Sequence, residues 1–111
     1  MSKRIIGLIF YLSMLGDVIA SESLTTENIP YYSNEIIQSN DYLKQRAVLD
    51  VYCPNSEHLL PTIVWFHGGG LTSGKKYIPS ALKQQGVCVV APNYRLFPKV
   101  KSPTYIKDAA A

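Results

Sequence analysis

Three consecutive glycines, Gly68, Gly69 and Gly70, follow His67 at the end of the apolar run Val64-Trp65-Phe66. Such a run lets the backbone adopt positive φ angles and lets a ligand reach main-chain N–H groups without meeting a Cβ. Placed at the C-terminal end of a sheet strand, where α/β folds bind ligands, donors of this kind suit a developing anion. In acyl transfer a carbonyl oxygen becomes that anion, and N–H groups about 2.7–3.1 Å away stabilise it by several kcal/mol in a site free of water.

Two other chemistries compete for the same stretch. Gly69-Gly70-Leu71-Thr72-Ser73-Gly74-Lys75 fits the G-x-x-x-x-G-K part of a phosphate-binding loop after a strand. Lys76 then stands where a Ser or Thr hydroxyl should hold Mg²⁺, and Pro79 places the helix start later than that motif requires. A purely structural glycine turn is the third reading. One glycine satisfies a tight strand-to-helix connection, whereas three in a row add a conformational-entropy cost that the connection does not need.

The elements around the turn read as strands alternating with helices. Ile29-Pro30-Tyr31-Tyr32 is a weak first edge strand after a polar stretch. From Arg46 to Cys53, Ala47, Leu49, Val51 and Cys53 fall on one face and Val48, Asp50 and Tyr52 on the other, as in a half-exposed strand. Pro54-Asn55-Ser56-Glu57 ends it, and His58 lies in an exposed polar turn. Thr62 to Phe66 and Val87 to Ala91 are apolar on both faces, which predicts two strands covered on both sides of a parallel sheet. Between them Pro79 opens a short helix through Leu82 and Gln85 that Gly86 terminates. Ser102 and Pro103 read as N-cap and first helical residue of a second helix carrying Tyr105, Ile106 and Asp108. The order implies an α/β sheet with right-handed crossovers. The second helix runs to Ala111 with no stop signal, so the expectation is the front part of a longer domain, its sheet and helical cover incomplete.

Residues 1–20 have the pattern of a secretory leader. Lys3 and Arg4 precede an apolar stretch from Ile5 to Leu15, and cleavage is expected after Ala20. The stretch is shorter than the roughly 20 residues a membrane span needs. An ordinary N-terminal helix or an uncleaved anchor is the alternative. Residues 21–111 then form one truncated domain in a secreted or periplasmic protein, without a stable membrane anchor. Over the whole chain the formal net charge is +3, and the lysines are scattered with no basic stripe, which excludes nucleic acid as the expected partner. Cys53 and Cys88 sit in apolar strand-like runs, where a thiol packs as a small hydrophobe.

Taken in order, these motifs resemble the α/β-hydrolase superfamily, specifically its HGGG-bearing carboxylesterase and hormone-sensitive-lipase-like branch. Leu49-Asp50-Val51-Tyr52-Cys53-Pro54 is similar to the family's second strand, and His67-Gly68-Gly69-Gly70 to the oxyanion motif after the third. Asn93-Tyr94-Arg95-Leu96 with Pro98 resembles the Y-R-L-x-P segment after the fourth strand, and Asp108 the acidic residue on the next helix. The resemblance runs from about Ile29 to Ala111.

It implies that Gly69 and Gly70 give oxyanion N–H groups, that Gly68 shapes the turn, and that His67 holds the loop by hydrogen bonding rather than acting as the general base. It implies an ester substrate, with no cofactor and no metal. The Ser, Asp and His of the triad are expected beyond Ala111, since no G-x-S-x-G occurs in the 111 residues. Asp108 is left with two readings, a partner of Arg95 or a solvated surface charge. The resemblance makes the second and fourth strands antiparallel neighbours, so Cys53 and Cys88 come close enough to be linked when oxidised, although strain across paired strands opposes the bond. A non-catalytic hydrolase-like interaction module is the alternative to the enzyme. Oligomeric state is open.

Overall fold

A computed structural model describes residues 23–111, and the expected leader lies outside them. Four strands form one mixed sheet in the order β1-β2-β4-β3, where β1 is Leu24–Pro30, β2 is Val48–Cys53, β3 is Thr62–Val64 and β4 is Cys88–Pro92. The β1/β2 and β2/β4 pairs are antiparallel and β3 runs parallel to β4. With short helices packed around it, this is an incomplete mixed α/β sheet, in agreement with the alternation of strands and helices in the sequence.

β4 is central, as its apolar composition predicts, with Val89 and Ala91 fully buried. Its neighbour β3 departs from expectation. Hydrogen-bonded only to β4 among the described residues, it lies at the sheet edge, and Val64 is 53% exposed. An apolar composition on both faces states what a strand can tolerate, and the cover itself must come from elsewhere.

The register puts Asp50 and Tyr52 of β2 beside Ala91 and Val89 of β4 on one face. These four are buried, while Leu49 and Val51 on the opposite face are half-buried. The buried side of β2 is therefore the one with the polar groups. Asp50 tolerates burial because Lys76 Nζ lies 2.6 Å from its carboxylate and the Asn28 N–H donates to the same oxygen at 2.9 Å. Asn28 has φ 57° at an irregularity in the β1/β2 register, which turns its N–H toward that oxygen. The Tyr52 hydroxyl accepts from the Gln84 N–H at 3.0 Å.

Two short helices, α1 (Asn34–Gln38) and α2 (Asp41–Arg46), occupy the polar region in which the sequence reading found only a weak strand. Asn40 caps α2 by accepting from the Leu43 N–H, and Lys44 and Arg46 lie in its last turn, where cations suit the helix dipole. Ile37 and Leu43 are the residues these helices bury. Arg46 thus ends a helix and does not begin a strand.

Between β3 and β4 the expected helix shrinks to a single 3₁₀ turn, Ser80–Leu82, with Pro79 as its cap and Gly86 at φ 70° ahead of β4. Pro79 at the start and the polar run Lys83-Gln84-Gln85 leave too few apolar positions to hold a longer helix on the sheet. The last helix, α3 (Thr104–Ala109), has Pro103 and not Ser102 at its cap position, with no side-chain cap bond.

Cys53 and Cys88 form a disulfide that extends the β2/β4 ladder by one pair beyond Tyr52 and Val89. The reading of both as buried thiols is corrected by this bond; antiparallel neighbours put the two Cα atoms 4.3 Å apart.

Candidate functional site

The glycine turn leaves β3 through Trp65, whose N–H still donates to Val90 O of β4 at 2.8 Å. Gly69, Gly70 and Gly74 have φ of 127°, 63° and 98°, all in the region that favours glycine. A Cβ on Gly69 would collide with the Ser73 carbonyl, and one on Gly74 with the Gly68 carbonyl and, at 2.6 Å, with His67 Nδ1. Gly68 has open space around its missing Cβ.

Two carbonyls of the turn are held from inside. Gly68 O lies 2.8 Å from His67 Nδ1. Gly69 O accepts from the N–H groups of Thr72 and Ser73, both at 3.2 Å, and from their hydroxyls at 3.1 and 3.2 Å. In a trans peptide the N–H points opposite to the C=O of the same unit. The Gly69 and Gly70 N–H groups therefore face away from the atoms that hold Gly68 O and Gly69 O, and among the described residues neither donates to a protein acceptor.

His67 is 4% exposed. Its ring stacks on that of Tyr94, with centroids 4.5 Å apart and planes 9° from parallel. Tyr94 Oη donates to His67 O at 2.7 Å. Burial raises the Tyr94 phenol above its usual pKa, opposed by the charge of Arg46. Arg46 reaches this assembly from the end of α2, donating to Tyr94 O at 3.0 Å and Gly74 O at 3.2 Å, with Nη2 3.4 Å from His67 Nε2.

The segment after β4 ties the turn to the rest of the sheet. Asn93 Oδ1 accepts from the Lys76 N–H at 2.6 Å, Tyr31 Oη donates to Asn93 O at 2.8 Å, and the Phe97 N–H donates to Leu71 O at 2.9 Å. Arg95 and Asp108 form a forked ion pair, with Nε 2.9 Å from Oδ2 and Nη2 2.8 Å from Oδ1. The Arg95 N–H and Tyr32 Oη, each at 2.9 Å, complete the carboxylate. Asp108 is only 4% exposed, so it is no solvated surface charge. Burial acts to raise its pKa, but the hydrogen bonds and charge of Arg95, with Tyr32, outweigh it and hold the carboxyl below its ordinary value. The same arrangement raises Tyr31 and Tyr32, by burial first and then by the nearby carboxylate.

Leu71, next to Gly70, lines an apolar cavity of about 320 Å³ with Phe66, Tyr94, Tyr105, Ile106 and Ala109. Free backbone donors thus adjoin a concave apolar surface, the combination that small-molecule sites use.

Of the residues singled out in the sequence, His67, Gly68, Gly69 and Gly70 lie together in this turn. His58 is exposed, in the turn before β3, its N–H donating to Ser56 Oγ. Arg46 was missed because it was assigned to a strand. The signal that finds it is the helix pattern of Asn40 and Asp41 at one end and Lys44 and Arg46 at the other. The Lys76–Asp50 pair was missed because no local spacing links residues on different elements. Residues 19–98 match the model of the carboxylesterase family.

Proposed function

Because the chain belongs to the carboxylesterase family of α/β-hydrolases, we propose that His67 to Gly70 is an HGGG-type oxyanion loop of the hormone-sensitive-lipase-like branch, and that Gly69 and Gly70 donate to the oxyanion. The observation that carries this reading is the fixing of the Gly68 and Gly69 carbonyls by His67 and by Thr72 and Ser73, which leaves the two N–H groups unused. Their direction is set before substrate arrives, so no reorganisation is needed as charge develops. The substrate class is a carboxylic ester, with the apolar cavity beside Leu71 against its hydrocarbon part.

In such an enzyme a serine attacks the ester carbonyl, a histidine takes and returns the proton, and an acid orients the histidine. The 111 residues contain no G-x-S-x-G. His67 Nδ1 is committed to Gly68 O and Asp108 to Arg95, so neither fills a triad role. The proposal therefore places nucleophile, base and acid outside these residues, and the purified 111-residue chain hydrolyses no short-acyl p-nitrophenyl ester above background. In a form that carries a nucleophilic serine, Gly69→Ala keeps its N–H but forces the turn to shift, because its Cβ meets the Ser73 carbonyl at a positive φ, and the misdirected donor lowers kcat by about 10²–10³. An unchanged kcat would refute the assignment.

A second reading is a non-catalytic hydrolase-like interaction module, which keeps the fold without the nucleophile. Coding sequence after Ala111 separates the two: G-x-S-x-G following a further strand supports the enzyme, and a replaced serine the module. The phosphate-loop alternative is weakened at Lys76, which stands in place of the Mg²⁺-binding hydroxyl, turns its ammonium to Asp50 and has its N–H taken by Asn93.

We also propose that residues 1–20 are a leader and that the protein is secreted or periplasmic. The Cys53–Cys88 disulfide supports this, since such bonds persist in oxidising compartments. No helix among the described residues is long and apolar enough to cross a membrane.

A further inference from the structure

We propose that Arg46 is a positioning residue that fixes the tautomer of His67 and, through it, the orientation of the Gly68–Gly69 peptide. The inference deepens the oxyanion reading and rests on it for its functional meaning. Its physical content lies in three polar contacts of one guanidinium, to Tyr94 O, Gly74 O and His67 Nε2.

A guanidinium donates and never accepts, so His67 Nε2 must offer it a lone pair. A carbonyl oxygen accepts and never donates, so the Nδ1 that lies 2.8 Å from Gly68 O must carry the proton. The two demands select the same tautomer. With Arg46 removed, Nε2 loses the partner that required a lone pair, and the proton is free to move there. Nδ1 then ceases to donate, Gly68 O is released, and the Gly69 N–H on the same rigid peptide loses its direction. The imidazole has few other freedoms, because Tyr94 covers its face and Gly74 leaves no room for a Cβ beside Nδ1.

Arg46 also bridges the ends of the turn. Nη2 lies near both His67, where the turn begins, and Gly74 O, where it ends, while Nε holds Tyr94 O on the segment after β4. A planar fork spans these acceptors together, and the single ammonium of lysine does not.

Long-range ¹H–¹⁵N correlation of the intact, ¹⁵N-labelled protein at one pH reads the tautomer without ester or turnover. The wild-type His67 ring is expected to show the proton on Nδ1 alone. In Arg46→Met a mixture with the Nε2–H form should appear, and the Gly69 amide resonance should move. Arg46→Lys should give an intermediate mixture, and Lys44→Met, an exposed change on the same helix, should alter neither signal. A wild-type ring with its proton on Nε2 would overturn the proposal, as would an unchanged tautomer and Gly69 amide in Arg46→Met. If Arg46→Met loses amide dispersion, the wild-type ring and Arg46→Lys decide in its place, with an unchanged Lys variant counting against it. Failure of the oxyanion assignment registers separately, in the kcat of Gly69→Ala.

Discussion

Tyr94 and His67 hold each other twice: their rings stack at 4.5 Å, and the Tyr94 hydroxyl donates to the His67 carbonyl at 2.7 Å. One contact fixes the plane of the imidazole and the other fixes the backbone that carries it. Tyr94→Phe keeps the stack and deletes the hydrogen bond, leaving His67 O without that donor. The expected cost is about 1–2 kcal/mol in urea unfolding with an unchanged m-value. Tyr94→Ala removes both and should cost about 3–5 kcal/mol.

The glycines of the turn are not equivalent, and alanine substitution should separate them. Gly68→Ala meets no atom within 4 Å and has no positive φ to maintain, so its effect on stability should stay within about 1 kcal/mol. Gly69→Ala combines φ 127° with a collision at the Ser73 carbonyl, and should cost about 1–3 kcal/mol or force the turn to open. Thermal melts of the two variants make the comparison, and equal midpoints would contradict the turn geometry.

Asp108→Asn should cost about 3–5 kcal/mol at neutral pH, because it leaves the Arg95 guanidinium without its counter-charge in a largely buried site. The pH dependence has a definite sign. Asp108 is held below its ordinary value in the folded protein, so its contribution is complete above the unfolded carboxylate pKa of about 3.9 and is lost as pH falls through the lower, folded value. The stability gap between wild type and Asp108→Asn should therefore be constant near neutrality and close only in strong acid. A gap that closes near pH 6 would rule out this pair as its source.

Reduction of Cys53–Cys88 should lower stability by about 3–4 kcal/mol, the loop-closure entropy for a bridge across a separation of 35 residues. Denatured, unreduced protein should yield no titratable thiol. Two free thiols would remove the bond from the fold, and Cys53→Ser with Cys88→Ser would then be close to neutral.

Much of the sheet was legible in the residues themselves. β4 was, because Val89 and Ala91 have no polar neighbour to bring them to solvent, and so was the glycine turn, because no side-chain-bearing residue takes the angles of Gly69 and Gly74 at their contacts. What escaped was set by pairings distant in sequence. Asp50 reads as a surface residue of a half-exposed strand until Lys76 is seen against it. α1 and α2 are five and six residues long, below the length at which hydrophobic periodicity identifies a helix. Arg46 sits 21 residues from His67 and 48 from Tyr94, separations over which no local pattern speaks.

Among the described residues, β3 pairs through three residues and with β4 alone. A ladder so short has little cooperative resistance to fraying, since each opening exposes few hydrogen bonds and little apolar area. The glycine turn that continues from it is consequently moored less by its own strand than by Arg46, Tyr94 and Asn93. In the 111-residue chain the segment that carries the unused N–H groups is thus the first to lift, and hydrogen exchange should record its amides opening as a unit ahead of the β2/β4 pair.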